Sequence, residues 1–99
     1  APVQVKLLPV SQRYNDYAFQ VKKELVDAGI RVEIDAREEK LGFKIREAQL
    51  EKMPYMLVLG ESEKELQNIS VRKRGEGDLG TMSLKLFVSQ LKEELRPLH

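Results

Sequence analysis

The chain has 99 residues, 17 of them Lys or Arg and 16 Asp or Glu, which gives a formal net charge of +1. This length is typical of one domain, and the near-zero charge excludes a bulk polycation, so a nucleic-acid contact would need a local basic patch. With no cysteine and a single histidine, His99, a disulfide framework, a thiol nucleophile and a Ser-His pair are all disfavoured.

Two strands and a helix are predicted in the first third of the chain. Alternating apolar residues predict a strand over residues 3–8. From Tyr14 the apolar residues recur at steps of four and three, which predicts a helix that Gly29 is placed to end. This stripe comprises Tyr14, Ala18, Val21, Leu25 and Ala28. Alternation returns at Ile30, Val32 and Ile34, which predicts a second strand.

A second helix and a buried strand follow. Leu41, Ile45 and Ala48 form a helical stripe that ends before Pro54. The continuous apolar run over residues 55–59 is typical of a strand covered on both faces. Residues 61–68 are acidic and predict a short helical turn or a loop.

The last third of the chain predicts two strands and a helix. In the fourth strand Ile69 and Val71 alternate with polar and basic residues, so one face is apolar and the other basic. A turn over residues 75–78 leads to a short fifth strand over residues 79–82. Ser83 can cap a helix that Arg96 and Pro97 end. Its stripe comprises Leu84, Phe87, Val88, Leu91 and Leu95. The order β-α-β-α-β-β-β-α predicts an α/β domain whose mixed sheet has a parallel centre.

No cluster of residues indicates catalysis or a metal site. Glu38 and Glu39 are sequence neighbours, which point apart in a helix or a strand, so they do not form a carboxylate pair. Asp35 ends a strand without clustered partners, and the glycines around Glu76 are too few for a dinucleotide-binding loop. No apolar run approaches the roughly 18 residues that a membrane span needs.

Basic residues carry the strongest functional signal. Arg72, Lys73 and Arg74 are consecutive on a predicted strand, which places Lys73 on the opposite face from the two arginines. The second basic set comprises Arg37, Lys40, Lys44 and Arg46. If the second helix lies beside the fourth strand, the sets merge into one patch suited to phosphates and base edges. The alternative is a mixed-charge surface, because acids are interspersed. Phe43 could stack an unpaired base or pack at the helix start.

Three segments resemble one known family. The matching strings are AGIRVE over residues 28–33, EKLGFKIREAQ over residues 39–49 with PYMLV over residues 54–58, and VRKR over residues 71–74 followed by DLG over residues 78–80. Together they resemble the C-terminal anticodon-binding domain of bacterial threonyl-tRNA synthetases, which are class II aminoacyl-tRNA synthetases. The resemblance covers almost the whole chain, and these strings fit the threonyl enzymes better than their prolyl, glycyl and histidyl counterparts.

The resemblance implies one domain over residues 1–99, with a five-stranded mixed sheet flanked by three helices. It also implies a fragment of a larger cytoplasmic synthetase, a homodimeric ATP-dependent threonine-tRNA ligase whose zinc and ATP sites lie in a separate catalytic domain. This domain itself would need no cofactor and no membrane, and it would have no catalytic residue. Its partners would be the anticodon stem-loop of tRNA(Thr) and the catalytic domain of the parent.

In the family, an Arg on the fourth strand and a Glu after the third read anticodon bases, and these map to Arg72 and Glu63. A family Asn before the second helix is replaced by Glu38, which as a carboxylate can only accept hydrogen bonds and repels phosphate. Guanine at the middle of a threonine anticodon offers acceptors to an Arg and donors to a Glu, so we expect Arg72 and Glu63 to read it together. We expect the phosphate backbone to contact Arg46, Lys44 and Arg74.

Two other functions stay open at this point. Domains of this type also serve as non-catalytic interaction or accessory modules derived from synthetases, and Glu38 mildly favours that alternative. A small-ligand α/β domain is the third hypothesis, which no glycine-rich phosphate loop supports.

Overall fold

Five strands and four helices make up the computed structural model of the protein, which describes residues 3–94. In chain order they are β1 (Val5–Pro9), α1 (Asn15–Asp27), β2 (Val32–Ile34), α2 (Leu41–Leu50), β3 (Tyr55–Leu59), α3 (Glu61–Leu66), β4 (Asn68–Lys73), β5 (Gly77–Ser83) and α4 (Leu84–Glu94). The predicted strands and the three longer helices are confirmed, and the acidic segment after β3 is a short fourth helix. The predictions made for Leu95, Arg96, Pro97 and His99 lie outside the described residues.

One mixed sheet holds all five strands, in the spatial order β2-β1-β3-β4-β5. β1 pairs in parallel with β2 and β3, whereas β4 runs antiparallel to β3 and to β5. The carboxyl ends of β1, β2 and β3 therefore share one edge of the sheet, which we call the carboxyl edge. β4 starts at this edge and ends at the opposite one, where Lys73 pairs with Tyr55.

The two faces of the sheet are covered unequally. Side chains of α1 and α4, among them Val21, Leu25 and Phe87, join the strand residues of the larger core. On the other face Leu8 and Met56 form a smaller cluster. Its other members, Ala48 and Met53, come from α2 and the segment after it.

The neighbouring side chains on that second face, Val58, Ser70 and Arg72, are only half-buried. We call them the open face. β5 lies beside them and is exposed along most of its length. The sheet thus keeps a solvent-accessible surface next to α2.

Local signals explain two helix ends. Gly29 adopts a φ of +85°, and the amides of Gly29 and Ile30 donate to the carbonyls of Val26 and Leu25. This is the glycine-dependent helix end that the sequence predicts. At the start of α4 the Ser83 hydroxyl accepts a hydrogen bond from the Leu86 amide at 3.1 Å, which confirms the predicted cap.

Both faces of β1 are buried, although its sequence alternates apolar and polar residues. All five residues of β1 are buried, because this strand lies between β2 and β3 with helices on both faces of the sheet. The ammonium group of Lys6 donates to Glu51 at 2.7 Å.

Candidate nucleic-acid interface

The side chain of Arg72 is placed on the open face by the register of β4. Arg72 lies opposite Met56 on β3 and Asp78 on β5. The β4–β5 register shifts between Val71 and Arg72, and the nearby Gly80 adopts a φ of +86° that favours glycine. Irregularities of this kind commonly re-aim a strand side chain beside a binding site.

Arg72 lines a small cavity of about 100 Å³ between α2 and the end of β4. The other lining residues are Gln49, Met53, Met56, Lys73, Arg74, Gly75 and Gly77. Within the described part of the chain, the buried Nε of Arg72 has no hydrogen-bond acceptor. A buried donor without a partner costs about 1–3 kcal/mol. If the guanidinium turns toward this cavity, a ligand acceptor there would pair with the Nε and recover that energy.

Lys73 faces the other side of the sheet, as the alternation of β4 predicts. Its ammonium group donates to Glu94 on α4 at 3.0 Å and lies 3.1 Å from Glu76. It also lies 5.6 Å from the centre of the Tyr55 ring. These contacts, with the bond to Glu94 first, raise the pKa of Lys73. Lys73 therefore fastens α4 to the sheet, and its ammonium is not free for a phosphate.

Glu63 lies at the carboxyl edge, in the first turn of α3. Its Oε1 accepts a hydrogen bond from the Gly60 amide at 2.8 Å, which closes the start of the helix. Gly60 is packed tightly, because a Cβ there would lie 3.1 Å from that oxygen and 3.2 Å from Val10. Glu63 is half-buried, and the bond to Gly60 fixes its carboxylate beside Val10.

The strand register separates Glu63 from Arg72. Arg72 pairs with Met56, three residues before the end of β3 at Leu59, and Glu63 follows that end. Each step along a strand is about 3.3 Å, so these steps alone span about 10 Å. The cavity lining around Arg72 contains no residue of α3. The register places the two side chains at different points along the sheet, and the expectation that both read one guanine stays a prediction.

A second depression, which we call the edge groove, opens at the carboxyl edge. It is lined by Val10, Ser11, Gln12, Arg13, Glu38, Glu39 and Lys40. One wall is the segment after β1, and the other wall is the segment before α2. Glu38 is exposed in this groove, and Glu39 and Lys40 beside it are exposed too. This loop therefore presents two carboxylates and one ammonium group to solvent.

The expectation that Lys44 contacts phosphate is wrong. Its side chain is only 1% exposed, and its ammonium group donates to the backbone carbonyls of Pro9 at 3.0 Å and Asp35 at 3.1 Å. Burial lowers the pKa of Lys44, and the nearby Asp35 opposes that shift. The physical reason is helical geometry, because Lys44 stands on the same stripe as Leu41 and Ala48 and faces the sheet.

Arg37 is also held by the protein. Its guanidinium donates to both carboxylate oxygens of Asp35, at 2.9 and 2.7 Å, and to Glu47. It lies 5.5 Å from the centre of the Phe43 ring, which is 43% exposed. Phe43 is therefore not packed in the core, and Arg37 stacks over it at the start of α2.

The pH dependence of folding provides a test of the bond between Asp35 and Arg37. The Arg37 side chain, bonded to Asp35, lowers the pKa of that carboxyl. The resulting stabilisation is complete above the unfolded pKa of about 3.9 and is lost as the pH falls through the lower folded pKa. We expect the free energy of unfolding, measured by urea denaturation from pH 6 to pH 2, to fall more steeply for the wild type than for Asp35→Asn. The matched control Asp27→Asn, at the exposed end of α1, should follow the wild type. Parallel curves for wild type and Asp35→Asn would contradict this account.

The two basic sets do not merge into one patch. Arg37 and Lys44 are bound by the protein, and Lys73 faces α4. Arg37 is exposed but bonded to Asp35 and Glu47, and the other exposed members are Arg46 and Lys40 at α2 and Arg74 after β4. Gln49, which no sequence motif singles out, lies one turn after Arg46 and lines the Arg72 cavity. Only its spacing from Arg46 on the exposed side of the helix could have pointed to it.

Two other kinds of site have no support in the described part of the chain. Among residues 3–94 no group of three His, Cys, Asp or Glu side chains is placed to hold a metal ion. None of the helices in this range combines the length and apolar character that crossing a membrane requires.

The chain is similar to a known domain family and to proteins of known function. Residues 4–94 match the model of a domain family described as "Anticodon binding domain". The chain is 56% identical over 95 residues to a threonine–tRNA ligase of Clostridioides difficile and 53% identical over 96 residues to one of Acetivibrio thermocellus. These matches cover 96% and 97% of this chain, but the chain spans only 15% of the length of each ligase.

Solved structures share the fold. The RNA-binding domain of threonyl-tRNA synthetase from Cryptosporidium parvum Iowa II superposes with a TM-score of 0.88 at 29% identity, over 94% of this chain and 24% of that chain. Histidyl-tRNA synthetase from Nostoc sp. PCC 7120 superposes with a TM-score of 0.87 at 20% identity, over 97% of this chain and 23% of that one. The second likeness shows a common fold alone.

Proposed function

Because this chain belongs to the family of anticodon-binding domains, we propose that it binds the anticodon loop of threonine tRNA as the recognition domain of a threonyl-tRNA synthetase. The observation that carries the proposal is the unpaired Nε of Arg72, buried in a cavity that adjoins the open face. The identity to threonine–tRNA ligases supports the choice of tRNA.

The chemistry of Arg72 fits an unpaired purine. Guanine presents O6 and N7 as neighbouring acceptors, and an arginine can donate to both. Bases in a single-stranded loop expose these edges, which base pairing in an RNA helix hides. Gln49 and Arg74 line the same cavity and are exposed, so they can contact the base or its phosphate.

Glu63 and Glu38 would act on a different nucleotide, at the carboxyl edge. One oxygen of Glu63 is bonded to Gly60, and the other can accept from the imino N–H of the uracil that follows the middle guanine. Glu38 lines the edge groove, where it too can accept from a base but repels a nearby phosphate. In this proposal Arg72 and Glu63 read two adjacent bases, whereas the hypothesis from the sequence assigned both to one guanine.

The rest of the parent protein is part of the proposal. We place this domain in a cytoplasmic, homodimeric threonine-tRNA ligase, and its catalytic domain would be the second partner of this chain. The zinc and ATP of such an enzyme would bind in that catalytic domain.

A titration with an anticodon stem-loop transcript tests the binding function. We expect the amide NMR signals of β4 to shift as the RNA is added. We also expect the affinity for the stem-loop to fall as the salt concentration rises. Each neutralised phosphate of a single strand contributes about −0.7 to the slope of log K against log salt. The exposed cations Lys40, Arg46 and Arg74 then predict a slope of about −2.

The control is a stem-loop of identical length with a scrambled anticodon, which should bind more weakly at every salt concentration. Unchanged β4 signals at high RNA concentration would refute the function, and they would favour a protein-interaction module. A slope near zero would show that the exposed cations do not contact the backbone.

A further inference from the structure

Lys44 carries a charge at a buried position, where apolar packing would favour an apolar side chain. It is among the largest fully buried side chains of the described residues. Burying an ammonium group is costly, and replacing buried charges by well-packed apolar groups is often neutral or stabilising. The carboxylate of Asp35, which could neutralise Lys44, is itself hydrogen-bonded to Arg37. The cost of keeping this charge inside calls for an explanation.

The two carbonyls that Lys44 contacts provide one. Pro9 ends β1 and is followed by the first wall of the edge groove, Val10 to Arg13. Asp35 follows β2 and leads into the second wall, Glu38 to Lys40. A single ammonium group therefore bonds to the backbone at the base of both walls. An apolar side chain of the same length would fill the space and leave both carbonyls without that donor.

We infer that Lys44 is a positioning residue for RNA recognition: it fixes the spacing of the two walls of the edge groove without touching the RNA. This inference rests on the proposed function. It assigns Lys44 to the carboxyl-edge nucleotide rather than to the base at Arg72, which lies at the far end of β4. The two sites should therefore respond differently when Lys44 is changed.

The variants Lys44→Met and Lys44→Gln distinguish the effect of the two hydrogen bonds from the effect of side-chain packing. Methionine is one atom shorter than lysine, fills most of the same space and loses both hydrogen bonds, whereas glutamine, also one atom shorter, keeps one donor group. Lys23→Met is the matched control, because it removes a lysine charge from the exposed side of α1. The measurements are the melting temperature, amide hydrogen exchange without RNA, and affinity for stem-loops that differ at the middle or the third anticodon base.

Without RNA, we expect exchange to accelerate together in residues 10–13 and 36–40 of Lys44→Met. Affinity for the cognate stem-loop should fall about tenfold, as the loss of hydrogen bonds to a charged group predicts. The difference in affinity between stem-loops that differ at the third base should become smaller. The ratio of the affinities for stem-loops with G and with A at the middle base should stay within about twofold of the wild-type ratio. The exchange rates and affinity of Lys44→Gln should lie between those of Lys44→Met and the wild type. Those of Lys23→Met should match the wild type.

Several results would overturn the inference. One is a folded Lys44→Met whose affinity and third-base discrimination equal those of the wild type. Another is faster exchange in only one of the two walls, or an equal loss of discrimination at both bases. If Lys44→Met does not fold, Lys44→Gln decides by the same criteria. A wild-type domain that fails to bind any stem-loop would refute the proposed function instead, and the RNA-free exchange would still decide whether Lys44 couples the walls.

Discussion

Replacing Arg72 by alanine is expected to narrow the difference in affinity between a stem-loop with G and one with A at the middle anticodon position. Losing a bidentate contact to a base costs about 1–3 kcal/mol, and the loss falls mainly on the cognate base. The cavity supports this role because the Nε of Arg72 is buried there without an acceptor from the described residues. Fluorescence anisotropy titrations of both stem-loops at one salt concentration would measure the difference.

Arg74→Ala is the matched control, since Arg74 lines the same cavity but is exposed. It should weaken binding to both stem-loops alike and reduce the salt slope by one unit or less. A melting curve for each variant separates a lost contact from a damaged sheet. If Arg72→Ala loses affinity equally for G and A at unchanged stability, Arg72 is a general cation and the base-reading role is wrong.

The largest effect on stability is expected from Phe87→Ala on α4. Phe87 is only 2% exposed, and its ring meets that of Tyr55 edge to face with centroids 5.3 Å apart. Truncating a buried phenylalanine costs about 3–5 kcal/mol, because apolar contacts are lost and a cavity remains. That is a large part of the roughly 5–15 kcal/mol that stabilises a domain. Urea denaturation followed by circular dichroism would measure the change in free energy of unfolding.

Two further variants serve as controls for this prediction. Leu86→Ala changes the neighbouring residue, which is 49% exposed, and should cost far less than Phe87→Ala. Phe87→Leu keeps an apolar side chain at the site and should fall between the two. A similar cost for Leu86→Ala and Phe87→Ala would mean that α4 is not packed on the sheet as described. Under conditions where Phe87→Ala remains folded, its preference for G over A should be that of the wild type.

The parts of the fold that local chemistry controls could be predicted from the sequence. The alternation in β4 correctly placed Lys73 opposite Arg72, because successive strand residues point to opposite faces. Gly29 and Ser83 marked helix ends, since each acts on backbone groups a few residues away. The order of strands and helices followed from the same local periodicities.

The features that could not be predicted depend on groups distant in sequence. Nothing in the spacing of Lys44 reveals the carbonyls of Pro9 and Asp35, although its place on an apolar stripe was visible. The burial of Lys6 depends on β1 lying inside the sheet, which alternation within one strand cannot show. The separation of Glu63 from Arg72 likewise follows from the antiparallel register of β3 and β4. The sequence alone therefore could not show which side chains strand pairing and burial leave available for a ligand.

The position of β1 also has a consequence for how the chain folds during synthesis. Val5 pairs with both Val32 and Tyr55, so both sides of β1 are hydrogen-bonded only after the two distant strands have been synthesised. Closing long loops carries an entropic cost, whereas the adjacent strands β4 and β5 can form a hairpin within microseconds. Until β3 emerges from the ribosome, an apolar strand with an unpaired side is available to other nascent chains. We therefore expect dependence on chaperones to be greatest in the period before β3 has been synthesised.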